Sequence, residues 1–312
     1  MTRRGHYSPK QMGEEGPAAG FWPGVEPYAI LRTFMITLGR FRIAALTRGY
    51  LRLDGGAMFG AVPKTIWSRL IPPDEDNRIR LATRTLLVED GERIVLVDLG
   101  SGDKWTDKLR RIYGIENGPD AAPGIDPKAV TDIVITHLHF DHAGGISAFK
   151  PGSATEVELR YPRARVWVQA ANYETALDPN PRERASYLKE NVSVLREADL
   201  RLVRGEAEIA PGLRVHGGDG HTRGHQWLEI RSGAETVAFP GDLIPTSRHL
   251  PLPYLMGYDM SAEILLREKA EFLAAAVEGR WIVVFEHDPD LPAALVRIDE
   301  KGHYAVGETV PL

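Results

Sequence analysis

Of 312 residues, 43% are hydrophobic and 26% charged, enough apolar material to bury a sizeable core and a composition that excludes a disordered chain. The formal net charge of -5 offers no general basic surface to a phosphate backbone, so nucleic acid is not an expected partner. Cysteine is absent, which excludes disulfides, thiolate nucleophiles and sulfur ligands, and any metal must therefore be held by nitrogen and oxygen.

In chain order, residues 1 to 28 are rich in glycine, proline and charge without periodicity. They read as an arm that packs on a neighbouring subunit, with a homodimer as the expected assembly. The opening "MTRRGHYSPKQMGEEGP" lacks the apolar centre of a signal peptide, and no run of about 18 apolar residues follows, so a cytoplasmic protein without membrane contact is expected. Residues 29 to 312 are expected to form one domain. Apolar, β-branched runs recur there between turn signals: "FRIAALTRGYLRL", "IRLATRTLLVED", "RIVLVDLG", "TDIVITH", "ARVWVQA", "LRVHGG", "HQWLEI", "TVAFPGD" and "WIVVFEHD". These predict strands, with a hairpin at Asp90-Gly91. Helical spacing marks "DKWTDKLRRIYG" and "SAEILLREKAEFLAAAVEG", the latter ending at Gly279. The middle stretch "NYETALDPNPRERASYLKENVSVL" reads as a helical lid or connector between two strand-rich blocks, an order that suits two sheets packed face to face between helices.

The glycine-rich stretch "DGGAMFGAVPKTIW", residues 54 to 67, lacks the Gly-x-x-x-x-Gly-Lys-Ser/Thr spacing of a phosphate loop. Its Met58, Phe59 and Trp67 are expected to form a wall of a small-molecule substrate pocket.

The chemistry concentrates in "THLHFDHAGG", Thr136 to Gly145. The apolar run "DIVITH" delivers His137, extended backbone puts His139 on the same side, and a turn helped by Gly144 and Gly145 lets Asp141 and His142 point back. So many imidazoles and carboxylates crowded together are costly unless a cation joins them. Three more strand ends add to the set: His221 in "GDGHTRGHQ", Asp242 in "AFPGDLIP" and His287 in "WIVVFEHDP". A structural zinc site would be closed and rich in cysteine, whereas this set has surplus nitrogen and oxygen ligands.

The pattern His137-x-His139-x-Asp141-His142, followed by His221, Asp242 and His287, resembles the metallo-β-lactamase superfamily in its dinuclear hydrolase form. The resemblance implies an α/β fold of the α+β type, a four-layer αββα sandwich with its metals at one edge of the two sheets. It also implies two divalent ions, zinc above all, with cobalt, manganese or iron as alternatives. The first would be held by His137, His139 and His221, the second by Asp141, His142 and His287, with Asp242 bridging both. Asp98 in "VLVDLGSG" matches an acidic residue that orients a ligand. Asp242 or Asp141 could pass a proton to the leaving group. His225 reads as a turn histidine, and His6, His216 and His303 as surface or core residues.

Within the superfamily, "DGGAMFG", "GHTRGHQ", "GDLIPT" and "FEHDP" are most similar to the quorum-quenching lactonases that open N-acyl-homoserine lactones. Zinc β-lactamases fit less well, because many carry a cysteine where Asp242 stands. Phosphotriester and glyoxalase-type thioester hydrolases share the ligand set, and a mononuclear iron persulfide dioxygenase shares part of it. Many lactonases place a tyrosine three residues after the bridging aspartate, where this chain has Pro245. The polarising hydroxyl is therefore expected from Tyr254 or Tyr258 in "LPLPYLMGYDM", and His249 is a further candidate for the pocket lining.

Overall fold

A computed structural model describes residues 35–117 and 125–312 of the chain. The arm expected over residues 1 to 28 lies outside the described residues. The first sheet runs, in spatial order, Ile36–Leu38, Phe41–Asp54, Arg78–Glu89, Ile94–Val97, Asp132–Val134, Arg165–Gln169 and Asp199–Val203, with the short Glu116–Asn117 paired beside the second of these. The second sheet runs Ala207–Ala210, Leu213–Gly218, His225–Ser232, Glu235–Phe239, Ile282–Val284, Ala293–Ile298 and Tyr304–Val310.

Alternation along the strands decides which side chains meet. Ile43, Leu86, Val95, Val97 and Val134 from the first sheet pack against Leu213, Leu228, Ile230, Val237 and Phe239 from the second. The outer face of the first sheet, with Leu96, Ile133 and Val166, is covered by Ala176, Val192 and Leu195 from helical turns. The outer face of the second, with Ala238, Val283 and Val296, is covered by the helix Ala262–Glu278. That helix buries Leu265, Lys269, Phe272, Leu273 and Ala276, one stripe at helical spacing, and ends where the Gly279 N–H donates to the Ala275 carbonyl at 2.8 Å. The result is the expected αββα order of layers.

Two antiparallel strands outgrow the sandwich. A register shift between Thr47 and Gly49 marks the point beyond which Leu51, Ile79 and Leu81 join Met58, Phe59, Trp67 and Met256 in a separate apolar cluster. Parallel pairings occupy the middle of the first sheet, from Ile94–Val97 through Asp132–Val134 to Arg165–Gln169, and recur between Glu235–Phe239 and Ile282–Val284. The loops that leave these strands are the ones that carry Asp98, the histidine cluster, Asp242 and His287. Among the described residues, no helix is long and apolar enough to cross a membrane.

Some expectations shift. The strand read over "TDIVITH" is ladder-paired only at Asp132–Val134, and the helix expected over 103–114 narrows to Asp107–Ile112, where the Thr106 hydroxyl oxygen accepts from Leu109 N at 3.3 Å. The segment after Asp54 holds two short helices, Gly55–Phe59 and Lys64–Trp67. Strands Asp199–Val203, Ala293–Ile298 and Tyr304–Val310 lack the clean apolar signature of the others, because each takes its place by pairing at or near a sheet edge.

Candidate metal centre

The histidine loop is built outward from Asp98. This residue closes its strand at φ 51°, a left-handed conformation that is uncommon without glycine, and its carboxylate accepts from Thr136 N at 2.7 Å and from Thr136 Oγ1 at 2.6 Å. Leu138 is buried in the core and its N–H donates to Asn172 Oδ1 at 2.8 Å, so the flanking His137 and His139 turn the opposite way. His139 then caps the helical turn Phe140–Ala143, which swings Asp141 and His142 back toward the first two histidines. Gly144 and Gly145 serve close approach: a Cβ on Gly144 would lie 2.2 Å from the Ser101 carbonyl carbon, and one on Gly145 2.4 Å from the Leu99 carbonyl oxygen.

Ligating atoms from four chain regions converge at two adjoining points. His137 Nε2 lies 2.9 Å from His139 Nδ1, and His221 Nε2 lies 3.4 Å from the same nitrogen. His287 Nε2 is 3.2 Å from His142 Nε2, while Asp141 stands 3.8 Å from each of those two nitrogens. Within each of the triads His137–His139–His221 and Asp141–His142–His287, the candidate ligand atoms all lie within 4.8 Å of one another. Asp242 faces both: its Oδ2 is 3.2 Å from His221 Nε2 and its Oδ1 is 3.1 Å from His287 Nε2.

Outer hydrogen bonds fix which nitrogen points inward for His137, His142, His221 and His287. His287 Nδ1 donates to the Ala82 carbonyl at 2.7 Å, and His221 Nδ1 is held by Asp259 Oδ1 at 2.8 Å. His142 Nδ1 lies 2.9 Å from Asp98 Oδ2 and 3.0 Å from Glu286 Oε2. His137 Nδ1 meets Thr136 Oγ1 at 3.1 Å, whose own hydrogen is committed to Asp98. His139 is turned the other way, with Nδ1 inward and Nε2 3.8 Å from Glu183 Oε1. With the rings neutral, each inward nitrogen presents a lone pair toward another lone pair, and the repulsion is relieved by protons or by a shared cation. Asp242 Oδ1 and His139 Nε2, both buried, have no hydrogen-bond partner of their own. The donor set fits divalent metal ions.

The electrostatics point the same way. Burial pushes His137 well below its ordinary pKa and lowers His139. For His287 burial also opposes the charge, but Asp242 and Glu286 outweigh it and raise the imidazole to about 9. His142 rises well above its ordinary range in the same manner, against its burial, through Glu286, Asp242 and Asp141. A dry pocket that draws protons onto imidazoles is a pocket that attracts cations.

Other predicted residues take different places. Met58, Phe59 and Trp67, expected as a pocket wall, are each no more than 1% exposed; Phe59 stacks on Trp67 at 5.8 Å, so they brace the region from behind and do not face open space. His249 stacks on Phe59 at 4.7 Å, and its ring nitrogens are occupied by Thr246 Oγ1 and the Met58 carbonyl, each at 2.8 Å. Burial lowers it to about 4, which makes it a neutral strut. Tyr254 sits edge-on to Phe59 at 6.3 Å in the same cluster. Tyr258 is 39% exposed, and burial together with the negative field of Asp54 and Asp141 pushes its hydroxyl up to about 12. Pro245 lends its carbonyl to His287 N at 2.9 Å. His225 is buried with its ring 5.4 Å from that of His137, His216 stacks on Trp227 at 4.0 Å, and His303 is exposed.

Reading the chain alone missed Glu183, Asp259, Glu286 and Tyr187. Glu183 and Tyr187 come from the middle segment expected as a lid or connector, where Tyr187 packs its ring 4.8 Å from His139 and joins its hydroxyl to Thr222 Oγ1 at 3.0 Å. Only Glu286 carried a signal, as the neighbour of His287.

A profile of the metallo-β-lactamase superfamily matches residues 78–287. An N-acyl homoserine lactonase from Bacillus sp is 30% identical over 168 residues, 53% of this chain and 58% of the relative, so the chain spans less than two thirds of the length of the curated lactonases it matches. Among solved structures, a probable metal-dependent hydrolase from Staphylococcus aureus superposes with a TM-score of 0.78 at 28% identity, covering 88% of this chain and 99% of that one. AidC, a dizinc quorum-quenching lactonase in complex with a product, superposes with a TM-score of 0.70 at 20% identity over 88% and 96% of the two chains, a likeness of fold. Two sheets between helical layers, a histidine loop at their edge and a profile match that runs through to His287 agree: the chain belongs to the metallo-β-lactamase superfamily.

Proposed function

We propose that this protein is a dinuclear metal-dependent hydrolase of lactones or esters, of the N-acyl-homoserine lactone type. The carrying observation is the pair of triads that meet at Asp242, one carboxylate oxygen toward each. His137, His139 and His221 would hold one ion, Asp141, His142 and His287 the other, and Asp242 both. Zinc suits these nitrogen and oxygen donors, as do cobalt, manganese and iron. Divalent ions there supply Lewis acidity and make water a hydroxide-like nucleophile near neutral pH.

The chain's own groups do the rest. Asp242, which faces both triads, or Asp141 of the second would take a proton and return it to the leaving oxygen. The Tyr258 hydroxyl, kept protonated by its burial and acidic neighbours, donates a hydrogen bond to the substrate carbonyl or the departing alkoxide, the role open because position 245 is proline. Lactone chemistry is favoured over the phosphotriester and thioester readings by the sequence relative that is itself a lactonase. Convergence of Asp141, His142 and His287 supports two ions over the single iron of a persulfide dioxygenase.

The test is a panel of acyl-homoserine lactones, aryl esters, phosphotriesters and glutathione thioesters on protein of measured metal content. Ring opening with two ions per chain is the expected outcome. A fully loaded protein that turns over none of the four classes, or one iron per chain with oxygen consumption, would overturn the proposal.

A further inference from the structure

The helix Ala262–Glu278 carries opposite charges on consecutive residues, Glu268 and Lys269, and both are spent on backbone groups of other segments. Lys269 is 1% exposed, and its Nζ donates to the carbonyls of Pro251 at 2.9 Å, Leu252 at 3.4 Å and Tyr254 at 2.8 Å. Burying an ammonium is costly unless its donors are satisfied, and three carbonyls of one proline-punctuated loop satisfy them. Glu268 accepts from Asp219 N at 2.8 Å and from Gly220 N at 3.1 Å, one bond to each oxygen.

Two loops are therefore gripped from one helical turn. The loop 251–260 carries Tyr258 and Asp259; the loop 218–221 ends in His221. They meet where Asp259 holds His221 Nδ1, where Met260 N donates to the His221 carbonyl and where Ser261 N donates to the Gly220 carbonyl, the last two both at 2.9 Å. The fit leaves no slack: a Cβ on Gly220 would lie 2.4 Å from Leu265 Cα, and one on Gly218 2.9 Å from Glu268 Oε2.

We infer that Lys269 and Glu268 are positioning residues with separate duties. Lys269 sets the loop that presents Tyr258 to the substrate, and Glu268 sets the placement of His221 in the metal centre. The kinetic side of this inference rests on the hydrolase reading above; its structural side does not.

The experiment compares Lys269→Met, which keeps the bulk and removes the donors, with Glu268→Ala. Lys269→Met is expected to lower kcat/KM about threefold or more as the placement of Tyr258 loosens, and to change metal retention less than Glu268→Ala does. Amide hydrogen exchange should quicken across 251–260 and hold at 218–221. Glu268→Ala should reverse the pattern, with faster exchange at Asp219 and Gly220, metal lost to a chelator at about tenfold lower concentration and KM unmoved. Glu268→Gln, which keeps one acceptor oxygen, should recover part of the metal retention. Lys269→Gln, which keeps two N–H donors, should show the same direction with a smaller effect and covers a methionine variant that does not fold. Exchange and chelation need no substrate, so they decide the inference even if no lactone or ester is turned over. Identical signatures in the two variants, or exchange that quickens uniformly across the chain, would overturn it.

Discussion

In the first triad the outer carboxylates are shared out, Asp259 to His221 and Glu183 toward His139, whereas in the second a single imidazole, His142, meets both Asp98 and Glu286. In the first triad burial holds His137 and His139 below their ordinary pKa and the carboxylates prevail only at His221, whereas in the second both imidazoles, His142 and His287, rise above it. Ligand number is the same on the two sides, so what distinguishes them is the field behind the ligands.

The largest break in this comparison should come at the point the triads share. Asp242→Ala removes the carboxylate that faces both and is expected to lower kcat/KM by about a thousandfold or more, with fewer than two ions retained, as read by kinetics beside metal analysis. Next in size are the outer carboxylates. Asp98→Ala should weaken the second ion by about ten- to a hundredfold and leave the first nearly untouched, while Asp259→Ala should do the converse, in competition titrations with a chelator. Equal losses at both positions in either variant would mean that the two fields are not separate.

A smaller effect follows from pH. His287 is buried, and its pKa is raised to about 9 in the fold against the ordinary value of 6.5. In metal-free protein its contribution is fully present below about pH 6.5 and is lost as pH rises through about 9, a change on the order of 3 kcal/mol. Metal-free protein should therefore lose several degrees of Tm across that window while metal-loaded protein does not, and a flat metal-free profile would contradict the field argument. The smallest contrast separates the two tyrosines: Tyr258→Phe should lower kcat/KM by about three- to tenfold, and Tyr254→Phe, packed against Phe59, should stay within about twofold.

Much of the centre was legible before any fold was known, because metal chemistry restricts residue types and because strands followed by glycine-punctuated loops announce where side chains are displayed. Asp98 was legible only through the family resemblance, which implies an acidic residue after an early strand. Glu183 and Asp259 were not, since a carboxylate that orients a ring is recognisable only by what stands opposite it, and Glu183 reaches His139 across a 44-residue gap closed by the chain's return. The aromatic stretch from Met58 to Trp67 failed in the opposite direction. Apolar residues near a site read equally as pocket wall or core, and packing beyond the ends of the long strands made them core.

Residue order alone determined the chemistry on offer: nitrogen and oxygen ligands without sulfur, clustered histidines, two aspartates among them, and alternating runs that build two sheets. Tertiary structure decided which nitrogen of each ring points inward and which carboxylate stands behind it. The physical reason is that composition and periodicity act over a few neighbouring residues, whereas tautomers, fields and close approach depend on groups brought together from opposite ends of the chain.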